Sequence, residues 1–317
     1  MIRRRLLAIS ASLSIAALSP AAEPVEIEAH RQDIFCLAFS PDGKLLASAC
    51  KDRNIGLWDT KTGTEVKLLK GHTGDVMRVA FSPDGKLLAS VAGDSTVRIW
   101  DVSKGEAVKT LKGHASWVAG VNFSPDGRWV VSASADKTAI VWDVHTGEKR
   151  CQFKKHTGEV YSAVFHPDGK SVATSGKDKT IQVWNAETAE QIRELSGHKN
   201  EVYTVAFDAK GGLLGSCDAD GVVRVWNTAT GEVVHVLKGH KGAAYTVDFH
   251  GSQLVSSGAD RTVKVWDVMN GKEVRTLPAH KNEVYAVAST RDGLHLASGS
   301  RSGVIRVLGR ATEGQER

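Results

Sequence analysis

Serine, histidine and aspartate recur in this chain at one fixed phase, and they are the residue types of a hydrolytic triad. The first set is His30, Ser48 and Asp52, closed by Trp58. It returns as His72, Ser90, Asp94 and Trp100, and as His114, Ser132, Asp136 and Trp142. Then come His156, Thr174, Asp178 and Trp184; His198, Ser216, Asp220 and Trp226; and His240, Ser256, Asp260 and Trp266. As a triad, each set would pass a hydroxyl proton to the imidazole and attack an acyl carbon. Six copies of one active site in a single chain do not make a credible enzyme. The same groups also form a closed network. An indole N–H only donates, a hydroxyl accepts and donates, and an imidazole passes the chain on to a carboxylate. Each such bond contributes about 0.5–1.5 kcal/mol net, whereas an orphaned member costs about 1–3 kcal/mol. We therefore expect structural tetrads, with no catalytic residue, no metal and no cofactor.

The elements that must position these groups show in the spacing. His30, His72, His114, His156, His198 and His240 are 42 residues apart, and His280 follows after 40. The tryptophans from Trp58 to Trp226 keep the 42-residue step, and Trp266 comes 40 later. Within residues 64 to 101, four short apolar runs (Val66–Leu69, Val76–Phe81, Leu87–Val91 and Val97–Trp100) are separated by turn residues such as Ser82-Pro83-Asp84-Gly85. Such a repeat has the length of one four-stranded propeller blade. Apolar residues four, seven and nine positions after each His, as in Val76, Val79 and Phe81, break simple alternation and predict a bulge. The two-residue shortening near His250-Gly251-Ser252 falls in a turn.

The Gly-His opening, the Ser-Pro-Asp-Gly turn, the Asp before the last inner strand and the closing Trp-Asp resemble the WD40 family over residues 24 to about 309. The resemblance implies an all-β, seven-bladed propeller of four-stranded antiparallel blades, with the tetrads as intra-blade staples. It also implies that Val25-Glu26-Ile27-Glu28 is the outer strand of the last blade and closes the ring. That blade has His280 and Ser298 but Ser302 in place of Asp and Leu308 in place of Trp.

Three phases of the repeat vary in a way the tetrads do not. Five positions after each His stand Phe35, Met77, Ala119, Tyr161, Tyr203, Tyr245 and Tyr285, which include all four tyrosines. Three positions after it stand Asp33, Asp75, Trp117, Glu159, Glu201, Ala243 and Glu283. Before the staple Asp stand Lys51, Lys177 and, in the last blade, Arg301, with small residues in the other repeats. The resemblance places these phases on the top rim of the channel. There, aromatics interleaved with carboxylates suit a protein or peptide bearing Lys or Arg. Trp117 departs from the acidic choice of its phase.

Composition, 41% hydrophobic and 24% charged in 317 residues, is that of a folded soluble protein. Arg3–Arg5, the apolar stretch Leu6–Leu18 and Ser19-Pro20-Ala21 read as an export signal over residues 1–22, by the general or the twin-arginine route. We expect a periplasmic or extracellular propeller over 23–309 and a short polar tail, 310–317. Without Arg3–Arg5 the net charge of +5 falls to about +2, too little for a nucleic-acid partner. No membrane span is expected in the mature chain. Cys36, Cys50, Cys151 and Cys217 fit no zinc spacing and read as apolar fillers, with a Cys36–Cys50 disulfide open to the register. The expected function is a non-catalytic interaction scaffold. Alternatives are a hydrolase-like propeller enzyme with a site in the channel, and a binder of basic nuclear proteins, which the export signal opposes.

Overall fold

The computed structural model describes residues 24–278, 280–290 and 292–309. The segment 1–22, expected to be an export signal, and the tail 310–317 lie outside the described residues. The described chain holds twenty-eight strands, β1 to β28, in seven four-stranded antiparallel sheets. The innermost strands are β2 (Ile34–Phe39), β6 (Val76–Phe81), β10 (Val118–Phe123), β14 (Val160–Phe165), β18 (Val202–Phe207), β22 (Ala244–His250) and β26 (Val284–Ser289). Each touches the next, and β26 touches β2, so the sheets close a ring around a central channel.

The first blade runs outward through β2, β3 (Leu45–Cys50), β4 (Ile55–Asp59) and β5 (Glu65–Leu69). Neighbouring blades cover both faces of its middle strands. β3 therefore carries no polar alternation, and Leu46 to Cys50 are all buried. The outer strand faces solvent: Glu65 and Val66 are exposed and only Leu69 is buried. Blades adhere through apolar wedges. Ala47, Leu57 and Leu69 of the first pack against Val79, Leu88 and Trp100 of the second. A fully buried Leu or Val contributes about 1.5–3 kcal/mol.

The bulge expected from the apolar spacing is present, with a register slip between Ile34 and Cys36 that recurs at Val76/Arg78 and Val202/Thr204. In the first of the Ser-Pro-Asp-Gly turns, Ser40 Oγ donates to Asp42 Oδ1 at 2.6 Å and the Gly43 amide donates to the Ser40 carbonyl at 2.8 Å. Gly43 sits at φ +71°, a conformation that favours glycine. The shortened repeat loses its residues between β22 and β23 (Gln253–Gly258), where only Gly251 and Ser252 remain as the turn.

Closure comes from the N-terminal strand. β1 (Val25–Glu28) pairs antiparallel with β28 (Val304–Gly309), placing Ile27 opposite Ile305. Ile27 is buried with Ile34, Trp58 and Ile305, and Glu26 pairs with Arg306 at 2.6 Å. The Ala29 and His30 amides both donate to the Gly303 carbonyl. A Cβ at Gly303 would lie 2.0 Å from the His30 carbonyl oxygen, so the seam requires glycine. All four cysteines are free. Cys36 is opposite Ala49 and Cys50 is opposite Ile34, so the two thiols point to opposite faces of their sheet. No helix among the described residues is long and apolar enough to cross a membrane.

Candidate functional site

The tetrads are built across each blade. His Nδ1 lies 2.7–2.9 Å from Asp52, Asp94, Asp136 or Asp178, and Nε2 lies 2.7–2.8 Å from Ser48, Ser90, Ser132 or Thr174. Trp58, Trp100 and Trp142 donate Nε1–H to their serine at 2.7–2.8 Å. The sixth blade joins His240, Ser256, Asp260 and Trp266 in the same way. The serine hydroxyls are sealed: Ser48, Ser90, Ser132, Ser216 and Ser256 are 0% exposed, which leaves no path for a substrate to reach them. Burial lowers His72, His198 and His240 despite their carboxylates, so these imidazoles stay neutral near pH 7. Burial opposes the charged form of Asp94, yet bonds from Thr96, the Thr73 amide and His72 hold it down at about 2.

Two blades depart from the expected assignments. In the fifth, the carboxylate on His198 is Asp218, at 2.6 Å, and not Asp220. Asp218 ends β19 (Leu213–Asp218), opposite Val202, where a side chain meets the imidazole from the sheet side. Asp220 accepts instead from Asn200 Nδ2 at 3.1 Å. In the fourth, Trp184 Nε1 is buried without an acceptor. Phe153 takes the place that Leu69, Leu111, Leu195 and Leu237 take against the other indoles. Its ring stacks parallel on Trp184 at 5.0 Å, and Thr174 Oγ1 serves His156 alone among the tetrad side chains. In the seventh blade His280 reaches Ser298 at 2.9 Å, while Ser302 bonds Ser300 at 2.8 Å.

At the channel mouth where the innermost strands begin, half-buried aromatic rings form an arc. Phe35, Tyr285, Tyr245, Tyr203, Tyr161 and Trp117 follow one another with centroid separations of 6.0, 4.9, 5.9, 5.8 and 6.1 Å. Trp117 enters from the acidic phase and stacks on Tyr161 at 20°, in the blade whose aromatic phase holds only the buried Ala119. Met77 lies in the gap between the two ends of the arc, packed on the second wedge. The Tyr161 hydroxyl donates to Glu159 at 2.9 Å and to Glu201 at 3.2 Å, and the Tyr285 hydroxyl donates to Glu283 at 2.8 Å. Burial, then these carboxylates, raise both phenols, so they remain donors. Lys177 approaches Glu159 at 3.6 Å and Arg301 approaches Glu283 at 3.7 Å. Asp33 and Asp75 are partly exposed, and Lys51 is exposed, on the same face.

Below the rim, Arg78 Nη2 donates to Thr204 Oγ1 at 3.2 Å, bridging the second and fifth blades across the channel. Nearer the other mouth, Asp248 accepts from Ser289 at 2.9 and 3.1 Å. Burial pushes its carboxyl up to about 6. Asp248 faces a cavity of about 530 Å³ that also meets six phenylalanines, among them Phe39, Phe123 and Phe249. Sequence reasoning passed over Arg78 and Asp248, although each is the one charged residue at its phase of the repeat.

A family model described as WD domain, G-beta repeat matches the chain seven times, at residues 23–59, 63–101, 105–143, 147–185, 189–227, 231–267 and 271–307. No curated protein matches it at a significant level.

Proposed function

The chain belongs to the WD40 family, whose repeats fill residues 23–307, and from that premise we propose that it is an exported, non-catalytic scaffold that binds a protein or peptide through the rim of the propeller. WD40 propellers are generally protein-binding scaffolds. The observation that carries the finer reading is the arc from Phe35 to Trp117, with Glu159, Glu201 and Glu283 held beside its tyrosines. Aromatic rings with polar tips give contact area at low entropic cost. Lys or Arg of a partner would meet both a π-face and a carboxylate. Export is supported by the basic and apolar stretch of residues 3–18. The hydrolase reading loses its most regular candidates, because the tetrad serines are sealed.

The test is a pull-down from the native extracytoplasmic fraction. The parent is compared with a variant carrying Trp117→Ala, Tyr203→Ala and Tyr245→Ala that melts like the parent. Loss of a captured protein in the variant is the expected outcome. Equal capture by both would move the site to the blade edges or the opposite mouth.

A further inference from the structure

The first blade differs from the others at the Nδ1 end of its tetrad. Cys50 ends β3 opposite Ile34, the register place that Asp218 occupies opposite Val202 in the fifth blade. There the side chain lies 2.6 Å from His198 Nδ1. The sixth blade has Gly258 at this place, where a Cβ would lie 2.8 Å from His240 Nδ1. A side chain in this position is therefore aimed at the imidazole nitrogen. The first blade puts a thiol there and also keeps Asp52, 2.8 Å from His30 Nδ1. The ligand atoms of His30, Cys50 and Asp52 all lie within 4.8 Å of one another.

Asp52 is also less engaged than its counterparts. Asp94, Asp136, Asp178 and Asp260 each accept the amide that follows the histidine and a threonine hydroxyl. Among the described residues the carboxylate of Asp52 accepts from His30 Nδ1, the Asn54 amide and the Cys50 thiol. A carboxylate has about four lone-pair sites, so Asp52 keeps about one open, and its bond from the Cys50 thiol is one that a shared ion would replace. Its side chain is 23% exposed, against 8–10% for the other four. It is thus free to shift outward.

We propose that His30 Nδ1, the Cys50 sulfur and an Asp52 carboxylate oxygen bind one zinc ion, with water in the fourth position. Thiolate, imidazole and carboxylate are the donors zinc takes in a tetrahedron, which sets the ligand atoms roughly 3.5 Å apart. The His30–Asp52 contact then opens by roughly 0.7 Å. On binding, the thiol releases its proton to solvent as the zinc–sulfur bond forms. The His30 proton moves from Nδ1 to Nε2 and is donated to Ser48 Oγ, 2.7 Å away. The Ser48 hydroxyl turns to the Gly56 carbonyl, 3.5 Å away, and still accepts from Trp58. Nothing is oxidised or reduced. Ser48 thereby fixes the tautomer of the ligating imidazole from outside the coordination shell. The zinc spacing of the sequence hid this trio, because Cys50 and Asp52 meet a histidine twenty residues upstream through hairpin register.

The test is a titration of the purified, reduced protein with Co2+ and then Zn2+, followed by absorption. One equivalent of Co2+ should give tetrahedral visible bands and a thiolate-to-cobalt charge-transfer band, and Zn2+ should bleach both. Cys50→Ala installs the residue that Ala92 supplies in the second blade, so it suits the fold, and it should lose the charge-transfer band. Cys36→Ala should keep it. A parent protein with no saturable band, or a band that survives Cys50→Ala, overturns the proposal.

Discussion

Replacing Asp218 by Ala should unfold the fifth blade's staple, while replacing Asp220 should barely register. Asp218 is 1% exposed and accepts three bonds: from His198 Nδ1 at 2.6 Å, from the Asp220 amide at 3.0 Å and from the Val222 amide at 2.9 Å. Its removal strands a buried imidazole N–H, and a lost bond to a charged acceptor is worth about 1.5–3 kcal/mol. With the two amides weakened as well, the total comes to about 3–4 kcal/mol. At about 2–4 °C per kcal/mol for a domain of this class, the melting temperature should fall by roughly 6–16 °C. Asp220 offers only a surface contact with Asn200, so Asp220→Ala should stay within about 0.5 kcal/mol. Thermal and urea unfolding of both variants measure the difference. If Asp220→Ala costs as much as Asp218→Ala, the assignment of the staple carboxylate is wrong.

Deleting residues 25–28 should lower the melting temperature more than trimming residues 310–317, because Ile27 leaves the wedge it shares with Ile34 and Ile305; equal melting of the two truncations would refute closure by β1. Trp226→Phe should cost about 1 kcal/mol more than Trp184→Phe, since only Trp226 donates to a staple serine; chemical denaturation of the pair decides it. Burial lowers His72, His198, His240 and His280, the last to about 4, below the ordinary imidazole range. Groups held below their unfolded values contribute stability above those values and lose it as pH falls. Unfolding free energy should therefore be level above about pH 6.5 and decline toward pH 4. A stability profile that stays flat down to pH 4 would contradict the burial of these imidazoles.

Blade number and the bulge were legible because each repeats in the chain, so local strand signals reinforce one another seven times, whereas closure by Val25–Glu28 followed from the family resemblance. Four tetrad assignments, in the first three blades and the sixth, followed in full from the same repetition. The exceptions came from single residues that break the repeat. Asp218 takes the imidazole because it ends β19, at the place that Cys50, Ala92 and Gly258 fill in other blades, directly against His198 Nδ1, while Asp220 lies in the turn beyond and bonds Asn200. The Trp184 indole lacks an acceptor in the one tetrad that carries Thr174 for serine, and its ring stacks on Phe153 of the neighbouring blade's outer strand β13 (Lys149–Phe153), a contact between blades that leaves no local trace. The rim residues were legible as phases of the repeat. Their joining into one arc was not, since Trp117 reaches it from a different phase than the tyrosines. Arg78 spans the channel to a residue 126 positions away, a contact that only the closed ring creates.

The proposed seat of a partner is the aromatic rim. Hydrogen exchange of the propeller, free and bound to the protein captured in the pull-down, tests it most directly. Exchange should slow in the segments entering the innermost strands, around Phe35, Trp117, Tyr161, Tyr203, Tyr245 and Tyr285. Protection confined to the Ser-Pro-Asp-Gly turns or to the outer strands would contradict it.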